Sequence, residues 1–394
     1  MDLSHRIASI SESLTLAISS KAKAMKAKGI DVIDFGVGEP DFDTPQHIKQ
    51  AGIDAINQGF TKYTPAAGTP ELRQAVADKL KRDNDLDYPP AQIIVSCGAK
   101  HSLFNVILAL CQEGDEVIIP APYWVSYPEM VKAAGAKNVF LPTDESTQFK
   151  ITPQQLDNVI TPDSKVLILN SPSNPTGSVY TPDELQALAE LILDTDMYII
   201  SDEIYEALVY DGTVHKSIAS FSPEISERTI VVNGFSKSYA MTGWRLGYAA
   251  GPKEIIDAAI QLQSHSTSNA CSIAQKAGVA ALNGDQGFIR AMVAEFDKRR
   301  KRMVEALNAM PGITCVEPKG AFYALPNISE WFGEEIHGRK ISNSMDFATV
   351  CLEEGKIAIV PGSGFGDDRF VRFSYATSIE NIEEGMRRME EALR

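Results

Sequence analysis

Three short segments of the chain set reactive side chains among small residues. Lys237 sits in Asn233-Gly234-Phe235-Ser236-Lys237-Ser238-Tyr239, just after the apolar run Thr229–Val232. A lysine held in a desolvated or electropositive pocket stays nucleophilic and forms imines with carbonyl compounds. Asp202 follows the run Met197–Ile200 in Ser201-Asp202-Glu203-Ile204-Tyr205, where a carboxylate can partner a protonated ring nitrogen. Tyr205, three residues on, is close enough in a helical turn to reach the same ligand. Ser96-Cys97-Gly98-Ala99-Lys100 joins a strand pattern to a helix pattern. Its small residues let backbone N–H groups approach an anion, and a helix N-terminus favours negative charge. Ser236 and Arg245 offer a hydroxyl and a guanidinium to the same anion. Taken singly, these are a solvated loop lysine, a helix-capping carboxylate and a tight turn. Taken together, an imine-forming lysine, an acid for a ring nitrogen and an anion cradle are what pyridoxal 5'-phosphate needs.

All three segments follow the carboxyl end of a predicted strand, the edge at which open α/β sheets bind ligands. Predicted strands are Gln92–Val95, Glu116–Pro120, Lys165–Leu169, Met197–Ile200, Thr229–Val232 and Leu246–Ala250. Helical patterns over Lys100–Cys111, Val125–Ala134 and Pro182–Leu193 alternate with them, as in a mainly parallel sheet. Asp285–Ala309 reads as one long exposed helix. Short strands Ile313–Val316, Phe322–Leu325, Ile357–Val360 and Phe370–Phe373 follow, with helices near Ser344–Glu354 and Ile379–Leu393. A helix near Ala17–Lys28 is expected to pack with this second part. At 394 residues the chain exceeds the roughly 250–300 residues at which one core stops growing. The expectation is an α/β protein: a large domain with a mainly parallel sheet flanked by helices, residues 46–285, and a smaller α+β domain from residues 1–45 and 286–394.

Composition narrows the function. A net charge of −15 argues against a nucleic-acid partner, because phosphates need a basic surface. No run approaches the roughly 18 apolar residues of a membrane span, and Met1-Asp2-Leu3-Ser4-His5-Arg6 opens a poor signal peptide. Five scattered cysteines without CxxC or Cys/His metal spacing suggest a cytoplasmic protein and no metal site. Gly36-Val37-Gly38 and Gly362-Ser363-Gly364 do not complete GxGxxG, and no GxxxxGK[ST] loop occurs. Nucleotide cofactors are therefore not expected.

Asn170-Ser171-Pro172-Ser173-Asn174-Pro175-Thr176-Gly177, Ser201-Asp202-Glu203-Ile204-Tyr205 and Phe235-Ser236-Lys237-Ser238-Tyr239-Ala240-Met241-Thr242-Gly243-Trp244-Arg245-Leu246-Gly247 resemble signature blocks of the fold-type I pyridoxal-phosphate aminotransferases of class I/II. The resemblance runs from Gly36-Val37-Gly38-Glu39-Pro40-Asp41-Phe42 to Arg372-Phe373-Ser374-Tyr375-Ala376 and is closest to the bacterial type of aspartate aminotransferase. It implies that Lys237 carries the cofactor and shuttles a proton, and that Asp202 keeps the pyridine nitrogen protonated. It implies that Asn174 and Tyr205 bond the phenolic oxygen and that Trp124 stacks on the ring. Ser236, Arg245 and the backbone at Ala99 and Lys100 would take the phosphate, and Tyr63 would reach the phosphate of a neighbouring subunit in a homodimer. Arg372, with the Gly38 N–H, would clamp the substrate α-carboxylate, since a planar guanidinium pairs bidentately with carboxylate.

Lys100 matches the lysine that reads the distal carboxylate of a diacid in such enzymes, and Thr15 a residue that assists it. The expected substrates are amino acids and 2-oxo acids, aspartate with 2-oxoglutarate first, which places the chain in amino-acid metabolism. Relatives that transaminate prephenate carry an extra lysine where Ser11 stands here, which disfavours prephenate. Alternatives are a prephenate or broader aromatic or neutral amino-acid aminotransferase, or a lyase on the same fold. A DNA-binding regulator built on this fold needs an added helix-turn-helix module for which the segment before the first block is too short.

Overall fold

Seven segments between residues 93 and 250 pair into one sheet in the computed structural model, which describes residues 4–11 and 14–394. In chain order the strands are β1 (Ile33–Asp34), β2 (Ile93–Ser96), β3 (Glu116–Ala121), β4 (Lys137–Pro142), β5 (Ser164–Asn170), β6 (Tyr198–Asp202), β7 (Thr229–Gly234) and β8 (Gly247–Ala250). The sheet runs β2-β8-β7-β6-β5-β3-β4. Strands β7, β6, β5, β3 and β4 are mutually parallel, whereas β8 pairs antiparallel with both β2 and β7. Interior strand β7 and edge strand β2, the latter covered by helices, are buried at every position, which is why they read as unbroken apolar runs. Edge strand β4 escapes the sequence reading because it buries only Leu141 and begins with Lys137.

Helices cover both faces of the sheet, and local chemistry fixes where several begin. Thr181 accepts from the Glu184 N–H at 3.3 Å, and the Glu184 carboxylate accepts from the Thr181 N–H at 2.8 Å. With Pro182 at the first position, this capping box starts helix Pro182–Leu193 at the residue expected. Helix Ala99–Leu110 begins directly after Gly98, whose φ of +92° no side-chain-bearing residue adopts readily.

The remaining strands lie beyond the sheet: β9 (Tyr323–Ala324), β10 (Glu335–Ile336), β11 (Arg339–Lys340), β12 (Ile357–Ala358), β13 (Val360–Pro361) and β14 (Val371–Ser374). They form a β13-β14-β9 antiparallel sheet, a β10-β11 hairpin and a parallel β1-β12 pair that ties residues 33–34 to the C-terminal part. Helix Leu14–Ala27 packs there too, with Ala22, Ile18 and Met25 around Val32, Leu352 and Ala358.

Two expectations are corrected. Ile313–Val316 is not a strand and makes only an isolated bridge, Thr314 to Asn327. The Asn308 side chain takes both backbone groups of Cys315, at 2.8 and 3.0 Å, which removes them from any ladder. The long helix spans Gly287–Asn308, but it is not exposed all round. Met292, Phe296, Met303 and Leu307 bury one stripe among its Arg and Glu residues, and Arg300 is buried with them.

Candidate active site

Lys237 follows β7, and its ammonium donates to the carbonyl of Gly38 while lying 5.8 Å from the Tyr205 ring and 5.6 Å from the Phe322 ring. Burial pulls its pKa down to about 8; Arg372 and Arg245 push the same way, against Glu39 and Asp202. A lysine so placed is neutral far more often than one in water, as a nucleophile must be.

Asp202 ends β6, one strand over from β7. The Tyr127 hydroxyl donates to its carboxylate at 2.6 Å and the Ile204 N–H at 3.2 Å. Burial raises the carboxyl to about 6, and those two donors oppose the rise. Its neighbour Glu203 is satisfied by Ser201 and Ser217 hydroxyls at 2.8 and 2.6 Å, with His215 Nε2 at 3.2 Å. Of the two adjacent acids, only Asp202 lines the cavity.

At the helix start the backbone is packed too closely for side chains. A Cβ on Gly98 would come within 2.5 Å of Arg245, and one on Gly247 within 2.2 Å of the Ala99 nitrogen. The Ala99 and Lys100 N–H groups, which at a helix start have no intrahelical acceptors, thus stand beside a guanidinium. Arg245, at φ +52°, is held by the Thr242 carbonyl at 2.9 Å. Lys100 Nζ lies 4.7 Å from the centre of the Trp124 ring, and burial, then Arg245, pushes its pKa down.

Arg372 comes from β14 and is 3% exposed. It donates to Asn174 Oδ1 at 2.9 Å and to the Gly36 carbonyl at 2.8 Å, while its buried Nε has no partner. Its guanidinium lies 4.4 Å from the Tyr323 ring centre and 5.1 Å from that of Phe365. Among the described residues no carboxylate pairs with it. The Asn170 side chain accepts the Asn174 N–H at 2.8 Å and donates to the Asp202 carbonyl at 2.9 Å, so β5, β6 and β14 are tied together.

A cavity of ≈ 390 Å³ joins these groups: Gly38, Ala99, Lys100, Trp124, Asn174, Asp202, Tyr205, Ser236, Lys237, Arg245 and Arg372 all line it. Tyr63 does not; it stands 92% exposed on the surface of this chain. Thr15 falls on the first turn of helix Leu14–Ala27, and its side chain is outside the described residues. Sequence reasoning missed Tyr127, Tyr323, Glu39 and Lys23, which also line the cavity. Tyr127 carried one readable signal, lying one helical turn beyond Trp124; Tyr323 carried none.

A mainly parallel sheet flanked by helices, with this cavity at its carboxyl edge, defines a fold-type I pyridoxal-phosphate enzyme. The chain belongs to the aminotransferases of class I and II, whose family model matches residues 30–389. It is 52% identical over 389 residues to an aspartate aminotransferase of Geobacillus stearothermophilus, covering 99% of this chain and 98% of that one. It is 47% identical over 392 residues to an aspartate/prephenate aminotransferase of Nitrosomonas europaea, covering 99% of each. Among solved structures, the aspartate aminotransferase of Rhizobium meliloti superposes with a TM-score of 0.96 at 44% identity, covering 100% of this chain and 99% of that one. That of Thermus thermophilus with maleate gives 0.94 at 42%, covering all of both.

The residues present fit pyridoxal phosphate. The glycine-lined helix start with Arg245 suits its phosphate, buried Asp202 its ring nitrogen, and Lys237 its aldehyde.

Proposed function

We propose that the chain is an aspartate aminotransferase, reversibly moving the amino group of L-aspartate to 2-oxoglutarate to give oxaloacetate and L-glutamate. The observation that carries this reading is Arg372, a buried cation with no carboxylate partner among the described residues, set on the same cavity as Lys237 and a second cation, Lys100. The names of the relatives from Geobacillus stearothermophilus and Rhizobium meliloti support it.

Pyridoxal phosphate, when bound, supplies a protonated ring that takes up the electrons left as a proton leaves the amino acid's α-carbon. Asp202 would hold the proton at the ring nitrogen, and Tyr127 holds Asp202. Lys237 would hold the cofactor through Nζ and would carry the α-proton on that atom. Arg372 occupies Asn174 Oδ1, which leaves the Asn174 amide N–H groups, with Tyr205, as donors for the phenolic oxygen. Ser236, Arg245, Ala99 and Lys100 would hold the phosphate. Trp124, which Tyr127 meets edge-on at 5.3 Å, would give the ring a flat platform. Arg372 and the Gly38 N–H would orient the α-carboxylate, and Lys100 and Thr15 would read the distal one.

Tyr63, exposed and ending in a hydroxyl, is assigned to the phosphate of a second copy in a homodimer. The division into residues 46–285 and 1–45 with 286–394 is the natural unit of closure, because Arg372 and Gly38 fall in one part and Lys237 in the other. Five scattered cysteines, each free, favour a cytoplasmic setting. Among the described residues no helix is long and apolar enough to cross a membrane.

The test is the visible spectrum of the cofactor-loaded protein. Aspartate should convert the absorption band, 2-oxoglutarate should restore it, and Lys237→Ala should abolish both changes. A spectrum indifferent to aspartate sinks the reading. A second reading, prephenate with glutamate as donor, is favoured by the Nitrosomonas europaea relative. Turnover of prephenate with a weak response to aspartate would select it.

A further inference from the structure

Tyr323 is 1% exposed and touches both halves of the site, yet nothing in the reaction outlined above uses it. Its position follows from strand register. In the antiparallel pair β14-β9, Tyr323 stands opposite Ser374, and Arg372, two residues back on β14, projects from the same face. A serine at the facing position leaves room for the tyrosine ring to lean over the guanidinium, 4.4 Å from ring centre to Cζ. A ring so placed suits arginine and restrains the guanidinium without using any of its N–H groups.

The other end of Tyr323 meets Tyr205. Their hydroxyls lie 2.9 Å apart, both buried, and their rings cross edge-on at 82°. Neither hydroxyl has another hydrogen-bond partner among the described residues. The pair holds two protons and shares one, so one O–H remains to point into the cavity. Tyr205 can donate to a ligand only when it accepts from Tyr323. The bond it accepts also polarises its own O–H and strengthens the bond it donates.

We propose that Tyr323 is a positioning residue that ties the carboxylate clamp to the phenolic-oxygen end of the cofactor site, its ring fixing Arg372 and its hydroxyl directing the Tyr205 proton. This rests on the pyridoxal-phosphate reading above. A bond donated by Tyr205 to the phenolic oxygen makes that oxygen a poorer acceptor for the proton on Lys237 Nζ. Weakening the donor therefore lets Lys237 hold its proton to higher pH.

The experiment is a pH titration of the visible band in the cofactor-loaded protein, with maleate binding read from the same band. Tyr323→Phe, which removes one buried oxygen, should raise the titration midpoint by roughly half a pH unit, the size of one neutral hydrogen bond. Tyr205→Phe should raise it further, and the double variant should match Tyr205→Phe alone. Tyr323→Leu, which removes the ring, should also weaken maleate at least about five-fold, while Tyr323→Phe leaves maleate within about two-fold. An unchanged midpoint in Tyr323→Phe overturns the proposal, as does a shift of equal size in the Tyr205→Phe background. Undiminished maleate binding in a folded Tyr323→Leu removes the ring's part. A wild-type protein with no titrating band overturns the cofactor reading itself, a separate failure from identical behaviour of wild type and variants.

Discussion

Arg300 and Arg372 are both buried in this molecule, and their surroundings are opposite. Arg300, on the helix Gly287–Asn308, has a fully buried side chain and meets Asp297, Asp211 and Glu317 at 2.6, 2.8 and 2.9 Å, with the Pro318 carbonyl at 2.8 Å. Burial pushes its pKa down, but Asp297 and Asp211 outweigh that and leave it raised. Arg372 is as deeply placed but finds an amide, a carbonyl and two aromatic faces, and burial leaves its pKa lowered. A buried cation whose counter-charges are supplied within the chain holds structure. One left without them holds a place for an anion from outside.

The largest expected effect breaks the comparison on the Arg372 side. Arg372→Met should lower kcat/KM for aspartate by about 10²- to 10⁴-fold, the loss of two charged hydrogen bonds. Its unfolding midpoint should hold or rise, since an unpaired buried charge is gone. Arg300→Met should do the reverse, losing about 3 kcal/mol of stability while the folded fraction keeps its kcat. Equal stability losses in the two variants, measured by urea unfolding, would erase the distinction.

The same contrast holds for the adjacent acids, where Glu203 is satisfied inside the fold and Asp202 faces the cavity. In cofactor-stripped protein the Asp202 carboxyl titrates near 6, against roughly 3.9 in an unfolded chain. Between those values the folded state holds a proton that the unfolded state has released. Stability at this residue therefore falls as pH rises from about 4 to 6, by about 2–3 kcal/mol in all. Asp202→Asn lacks this slope and should gain on wild type by that amount between pH 4 and pH 7. Identical pH slopes in paired denaturation curves would count against it.

Lys100 sharpens the picture at the smallest scale. Lys100→Ala should cut kcat/KM for aspartate relative to alanine by about 10- to 100-fold, the weight of one charged hydrogen bond. A preference ratio that does not move would release Lys100 from specificity.

The sequence exposes those parts of the site whose chemistry is local. Lys237, Asp202 and the Gly98-Ala99-Lys100 turn each sit in a segment where an apolar run stops and small residues begin, so strand, edge and reactive group are read together. Tyr323 is invisible by the same logic, and Tyr127 is legible only in part. Tyr323 matters because β9 pairs with β14 in one register, which no spacing within its segment states; Tyr127 lies one turn beyond Trp124, but that spacing does not state that its hydroxyl reaches Asp202. The central strands are legible because they are buried throughout, whereas β4 is hidden by its half-exposed edge. The false strand at Ile313–Val316 fails for a reason outside its own residues, the Asn308 side chain that occupies Cys315.

The bonds that finish the cavity also set when it can exist. Arg372 reaches the Gly36 carbonyl across 336 positions of chain and Asn174 across 198, and Lys237 reaches Gly38 across 199. At about 5–20 residues per second of synthesis, Arg372 is made roughly 20–70 s after Gly36. Strands β2 to β8 can pair long before that, since every one of their partners lies within residues 93–250. The growing chain can therefore carry a formed sheet and its lysine while it still lacks the clamp that selects an amino acid, and selectivity is the last property it acquires.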